Sequence, residues 1–460
     1  MTYARSLLVS PLSLFLVSAL VAACETTSTN GEPSEPSDSP DASVPSTCPP
    51  VTGEGTVHRM TLEQDETWTA EGSPHILEAG LRIGEGKTVT LEPCAVVRLA
   101  ERAGILVEGK LLAEGKADKP IRIERADPAA AWASIETRKG SELRMSYVTI
   151  EGGGNANGGR PTQFGMIDVR GDQDLPPQPI FFADHVTVKG SESLGIWARE
   201  GGSFAPGSQN LTVTEGKSFP VLIWGRAAGT LPSGTYTGNT TDEVFLPANG
   251  TRDAVEEDMT LHHRGVPYRV GGDTGGSSFV VGKSNGPAPL LTIEAGVTMR
   301  FAKGVAFQLA HTQDTADGAL HAEGTADKPI VFTSAESSPA AGDWPGILIG
   351  GTPDARDKIA YAEISYAGGV SRISSYGCPS ALGTTFANEA AVVVYGGQPA
   401  GVFVTHTKID SSAGDGIVRG WTGDALDFLA TNTFTNISRC NQTFPKPSDA
   451  VCPSPAPCPK

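Results

Sequence analysis

The segment LLAEGKADKPI, Leu111–Ile121, recurs as LHAEGTADKPI, Leu320–Ile330, with nine of eleven positions identical. The match extends in both directions. Gly72 and Pro74 meet Gly265 and Pro267 at an offset of 193, and Leu91–Ala100 meets Ile293–Ala302 at 202. Trp132 meets Trp344 at 212, Tyr147 meets Tyr361 at 214, and Asp184–Ile196 meets Thr405–Ile417 at 221. The offset only grows. One long unit has been copied once, with small insertions between equivalent steps. The copies run over 51–243 and 244–440, and a Cys/Pro-rich tail, 441–460, follows.

Within each copy the apolar runs are short. Residues 89–91, 105–107, 121–123 and 148–150 read as strands in the first copy, and 291–293, 330–332, 347–349 and 402–404 in the second. Gly, Asn, Asp and Pro punctuate them, and the chain holds 55 Gly and 34 Pro in 460 residues. Such brief strands suit a solenoid, in which each coil stacks on the next and buries one inward ladder. In the repeated phrase, Gly115 or Gly324 permits a tight bend. Asp118 or Asp327 can accept backbone N–H bonds in the turn, and Pro120 or Pro329 enters a strand where no donor is needed. Asp424–Phe444, the longest stretch without Gly or Pro, is expected to hold a helical turn or short helix that caps the last coil.

The phrases Leu291–Phe301, Leu320–Ser334, Trp344–Ile347 and Tyr361–Gly369 resemble bacterial right-handed parallel β-helix repeat lipoproteins. The resemblance implies an all-β, right-handed parallel β-helix. It implies little about activity, because the same solenoid also carries polysaccharide lyases and hydrolases.

Residues 1–23 read as a secretion signal: one charge, Arg5, precedes an apolar stretch that ends in small residues. The end, Leu20-Val21-Ala22-Ala23-Cys24, resembles a bacterial lipobox, which implies that Cys24 is lipidated and becomes the mature N-terminus. Glu25 behind it implies, by the sorting rule of enteric bacteria, the outer membrane. Residues 24–50 are Ser-, Pro- and acid-rich, with nothing to bury, and are expected to form an extended tether.

A net charge of −17 argues against nucleic-acid partners. Six further cysteines, Cys48, Cys94, Cys378, Cys440, Cys452 and Cys458, suit disulfides in an exported chain, with 15 possible pairings. Cys94 stands where the second copy has Gly296, and Cys48 is its only N-terminal neighbour, so these two are expected to pair. Cys378 with Cys440 and Cys452 with Cys458 are the remaining expected pairs. No metal-ligand spacing of Cys and His is found.

Three groups of residues are candidates for binding or chemistry. Asp168, Asp172 and Asp174, with Arg170 among them, read as a solvated loop, with a calcium site or carboxylate catalysis as the functional alternatives; no other cofactor is expected. His406, Asp410 and Asp415 lie within ten residues of one another, but His185 matches His406 across the duplication, which favours a structural position. Trp421 lacks a counterpart and is the candidate for an exposed aromatic that stacks on sugar rings, whereas Trp132 and Trp344 are expected in the core. No hydrolase, zincin, P-loop or dinucleotide signature appears. The expected function is a lipid-anchored, non-enzymatic envelope protein that binds surface proteins or extracellular polysaccharide, or serves in adhesion or the matrix. A polysaccharide lyase or hydrolase on the same scaffold is the alternative.

Overall fold

In a computed structural model of the chain, residues 45–155, 159, 161–272, 278–309, 317–373, 378, 388–449, 451–452 and 458 are described. Cys24, the signal and most of the tether lie outside them. The described chain forms one unit, and its regular elements are almost all parallel strands two to twelve residues long. It is a parallel β-helix with three faces. One face is an unbroken ladder of thirteen strands from Leu81–Ile83 to Thr433–Thr435. At about 4.8 Å per rung it is roughly 58 Å long.

Alternation along each strand sorts the side chains. In the thirteen-strand face, Ile105 and Val107, Ile135 and Thr137, Ile167 and Val169, and Ile196 and Ala198 point inward and are buried. The residue between each pair faces out. The outward column reads Arg82, Leu106, Glu136, Asp168, Trp197, Leu222, Phe245, Arg269, Arg300 and Thr333 by strand register. It continues through Ser365, whose hydroxyl bonds that of Thr333 at 2.8 Å, to Asp410 and Thr435.

Equivalent positions of the two copies adopt the same local structure. The Trp132 indole donates to the Glu151 carbonyl at 2.8 Å, and that of Trp344 to Ser365 at 2.9 Å. Both indoles are fully buried, as expected. Cys94 and Gly296 share left-handed backbone, φ 72° and 86°. Gly115 and Gly324 are needed for a different reason from the bend foreseen. A Cβ there would lie 2.7 Å from the Tyr147 carbonyl oxygen and 2.4 Å from that of Tyr361, so the next coil leaves room only for glycine.

The second copy is nevertheless turned by one face. His75–Leu77 and Val96–Leu99 belong to the twelve-strand sheet. Their counterparts are Tyr268–Val270 and Thr298–Phe301, which continue the thirteen-strand face above Val244–Leu246. The shift is made at the junction. There the 3₁₀ turns Gly225–Thr230 and Gly250–Asp253 stand in place of strands, and a new five-strand sheet starts at Met259–Leu261.

Cys48 bonds Cys94, with Cα atoms 5.3 Å apart, and Thr47 donates its N–H to the Asp118 carbonyl at 2.7 Å. The entering chain is thus pinned onto the repeated turn. The other two expected pairs are corrected: Cys378 bonds Cys452, and Cys440 bonds Cys458. The cause is the path of the tail, which runs back over the final coil. Cys378 N–H donates to the Phe444 carbonyl at 3.0 Å, and Lys446 N–H to the Trp421 carbonyl at 2.8 Å. The expected helical cap is also corrected. Asp424–Phe444 holds no helix; it contains the strand Thr433–Thr435 and turns that seat Phe428 in the core.

Candidate functional site

The acidic loop and the copy junction meet at one cleft. After strand Gly165–Arg170 the chain leaves the thirteen-strand face through residues 171–177. Its shape is set by its own polar groups. The Asp172 carboxylate accepts from Asp174 N–H at 3.0 Å and from Lys139 Nζ at 2.8 Å, and the Gln178 amide oxygen accepts from Asp172 N–H at 2.7 Å. Lys139 holds the Asp172 carboxyl below its usual range. From the other side, the Arg226 guanidinium donates to the Gln173 carbonyl and to that of Leu175, the latter at 3.2 Å.

Arg226 is the second residue of the 3₁₀ turn Gly225–Thr230. The turn rests on Asp253, which accepts from Gly225 N–H at 2.9 Å and from Arg226 N–H at 3.3 Å. Asp253 is buried, and burial pushes its carboxyl up to about 7. Because two 3₁₀ turns replace two strands here, the regular wall is interrupted and a cleft opens. It consists of two adjoining cavities of ≈ 400 Å³ and ≈ 430 Å³ that share Pro176, Arg226 and Glu256. Pro176, Pro177, Ala254 and Met259 give it apolar surface. Glu256, Glu257 and Asp258 line one rim of the ≈ 400 Å³ cavity, which Lys283 and His262 also reach.

Of the three acids singled out from sequence, Asp174 lines the ≈ 430 Å³ cavity and Asp172 shapes its wall. Asp168 is elsewhere, in the outward column, with its two oxygens taken by Arg199 at 2.9 and 2.8 Å. Burial pushes its carboxyl up against the pull of Arg199. Glu136 and Glu200 also pair with Arg199, Arg138 pairs with Glu136, and Arg170 pairs with Glu200 at 2.6 Å. Three carboxylates and three guanidiniums therefore neutralise one another on one outward face. Among the described residues no three His, Cys, Asp or Glu side chains are placed to hold a metal ion.

Beyond this network the outward column turns aromatic. Arg199 lies 4.2 Å over the Trp197 ring, and Leu194, Leu222, Trp224 and Phe245 cluster outside the main core, with half-buried Trp197 and Phe219 against them.

The second candidate group is not gathered. His406 stacks on Tyr361, ring centroids 4.8 Å apart, at a corner. Asp410 shares the outward column with Asp168 but lies eight rungs away, about 38 Å. Its carboxylate accepts from Thr435 Oγ1 at 2.6 Å and Asn436 Nδ2 at 3.0 Å, and these bonds hold its carboxyl below the usual range. Trp421 is corrected: it is 2% exposed, packed edge-on to Phe428, and its indole donates to the Asp424 carbonyl at 3.0 Å. The tail that covers the last coil buries it. Arg226, Met259 and Lys283 were missed by sequence reasoning. The available signal was that Trp224–Asp258 breaks the strand rhythm of the copies.

Residues 277–377 match the family model of a pectate-lyase like beta helix domain. No curated protein matches the chain.

Proposed function

We propose that this chain is a lipid-anchored cell-envelope protein that binds polysaccharide in the junction cleft without cleaving it. Cys24 carries the lipid, the acidic tether spans from the outer membrane, and the parallel β-helix presents the cleft. The observation that carries the reading is the cleft itself. Its volume falls in the range of about 300–1,000 Å³ usual for ligand sites, and its lining mixes apolar and polar groups. Pro176, Pro177 and Met259 offer surface to the C–H face of a sugar ring, while Arg226, Lys283 and Glu256–Asp258 offer partners for hydroxyl groups.

The alternative is a polysaccharide lyase or hydrolase. Its support is the pectate-lyase like match and the set of Glu136, Asp168 and Glu200 on one outward face. Against it stands the pairing of that set: both Asp168 oxygens are occupied by Arg199, so neither is presented to a substrate.

Incubating the mature protein with a polysaccharide panel, and measuring both retention and newly formed chain ends, separates the two. Retention that is lost in Met259→Glu, with no new ends, supports the binding reading. New reducing or unsaturated ends overturn it.

A further inference from the structure

Three side chains from three successive strands form a hydrogen-bonded chain that joins the first coil to the second. His58, in strand Thr56–His58, places Nδ1 3.0 Å from Glu66 Oε2, in strand Glu66–Trp68. Its Nε2 lies 2.9 Å from Nδ1 of His75, in strand His75–Leu77. His75 Nε2 in turn lies 2.9 Å from the Thr69 carbonyl oxygen. The Trp68 indole donates to the same Glu66 oxygen at 2.8 Å and stacks on the His75 ring at 13°. His75 is 3% exposed and Trp68 1%.

Counting hydrogens shows what this chain tolerates. The Thr69 carbonyl only accepts, so His75 Nε2 carries a hydrogen. His75 Nδ1 must then accept, and His58 Nε2 donates to it. The remaining contact, His58 Nδ1 to Glu66, takes a third hydrogen. A fourth has no place: it would sit on His75 Nδ1 and set N–H against N–H at 2.9 Å, between two cationic rings shielded from water.

Among the described residues the surroundings supply no second counter-charge. The first strand brings His58 and the second Glu66. The turn to the third strand brings the Thr69 carbonyl, with Glu71 out in solvent. Opposite His75 the neighbouring strand presents apolar Val97, and Arg98 beside it is held by Glu124 at 3.0 Å. Burial pushes both imidazoles below their ordinary value. For His58 the Glu66 carboxylate opposes this; for His75 the Thr69 bond opposes it and His58 adds to it.

We propose that His58, His75 and Glu66 form an acid-released clasp, in which full protonation of both imidazoles frees the first coil, Thr56–Trp68, from the solenoid. Release uncovers the edges of strands His75–Leu77 and Thr88–Leu91, which the first coil otherwise pairs. The sign follows from linkage. His75, which the hydrogen-bond chain holds neutral, binds fewer protons folded than unfolded, so the stability of this coil falls as pH drops below about 6.5.

Amide hydrogen exchange of the mature protein, corrected for intrinsic rates, tests this at about pH 7.5 and about pH 5. Protection over Thr56–Leu77 is expected to fall about tenfold or more at the lower pH, with the strand Thr433–Thr435 unchanged. His75→Gln keeps both contacts, its carbonyl accepting from His58 and its amide donating to Thr69, but takes no proton. It should remove most of the difference. Equal protection at both pH values, or an equal loss in His75→Gln, overturns the clasp. Should that variant not fold, NMR titration of the unaltered protein decides: a His75 midpoint below about 6.5 upholds the proposal, and one at or above it overturns it.

Discussion

Tyr147 lies flat on His185, ring centroids 4.4 Å apart and planes 10° from parallel, with both residues in left-handed backbone at φ 49° and 54°. Tyr361 and His406 repeat the arrangement at 4.8 Å and 11°, with φ 48° and 49°. The paired bends turn successive coils at a corner, and each Tyr carbonyl leans over the glycine of the repeated turn one coil below. The matched histidines are therefore parts of the corner.

Two substitutions probe that corner. His185→Val puts a β-branched side chain at positive φ and is expected to destabilise by about 1–3 kcal/mol. Gly324→Ala drives a Cβ to 2.4 Å from a backbone oxygen, which must move, at a similar cost of about 1–3 kcal/mol. Denaturant unfolding measures both; an unchanged midpoint for either refutes the packing argument.

The Asp168–Arg199 pair is nearly shielded from water, with side chains 9% and 15% exposed. Arg199→Met leaves the carboxylate without its bidentate partner and should cost about 3 kcal/mol. Adding Asp168→Asn should recover part of this. A double-mutant cycle with no coupling contradicts the pairing.

Non-reducing peptide mapping is expected to recover Cys378 joined to Cys452 and Cys440 joined to Cys458. The first bond spans a sequence separation of 74, and its removal should lower stability by about 2–4 kcal/mol. Peptides joining Cys378 to Cys440 would show that the tail takes another path.

The copy junction responds to pH in the sense opposite to the first coil. Burial raises the Asp253 carboxyl to about 7, above its unfolded value of about 3.9. Between these values the folded chain binds more protons than the unfolded one, so stability falls as pH rises through this window. Exchange at the amides of Gly225 and Arg226, which Asp253 holds, should quicken beyond its intrinsic pH dependence between about pH 5 and about pH 8. Protection that instead grows over that interval contradicts the assignment.

Anchoring is tested separately. Cys24→Ser is expected to move the protein out of the membrane fraction; retention after a salt wash overturns lipidation.

The sequence by itself determined a duplicated solenoid of brief strands, which the resemblance of its phrases marked as a parallel β-helix, along with the fully buried Trp132 and Trp344 and the Cys48–Cys94 bond. These follow from local patterns: brief alternating strands, a turn phrase copied at Leu320–Ile330, and a cysteine standing where the other copy has Gly296. Only the tertiary structure decided the rotation of the second copy by one face, the partners of Cys378 and Cys440, the burial of Trp421 and the cleft around Arg226. Each depends on how many strand-lengths of chain fill the junction or the last coil. Strand propensity is a property of a few neighbouring residues, whereas the coil on which a segment lands sums every turn before it. Two 3₁₀ turns in place of strands were enough to move equivalent residues to different faces and to open the wall beside the Asp172–Asp174 loop.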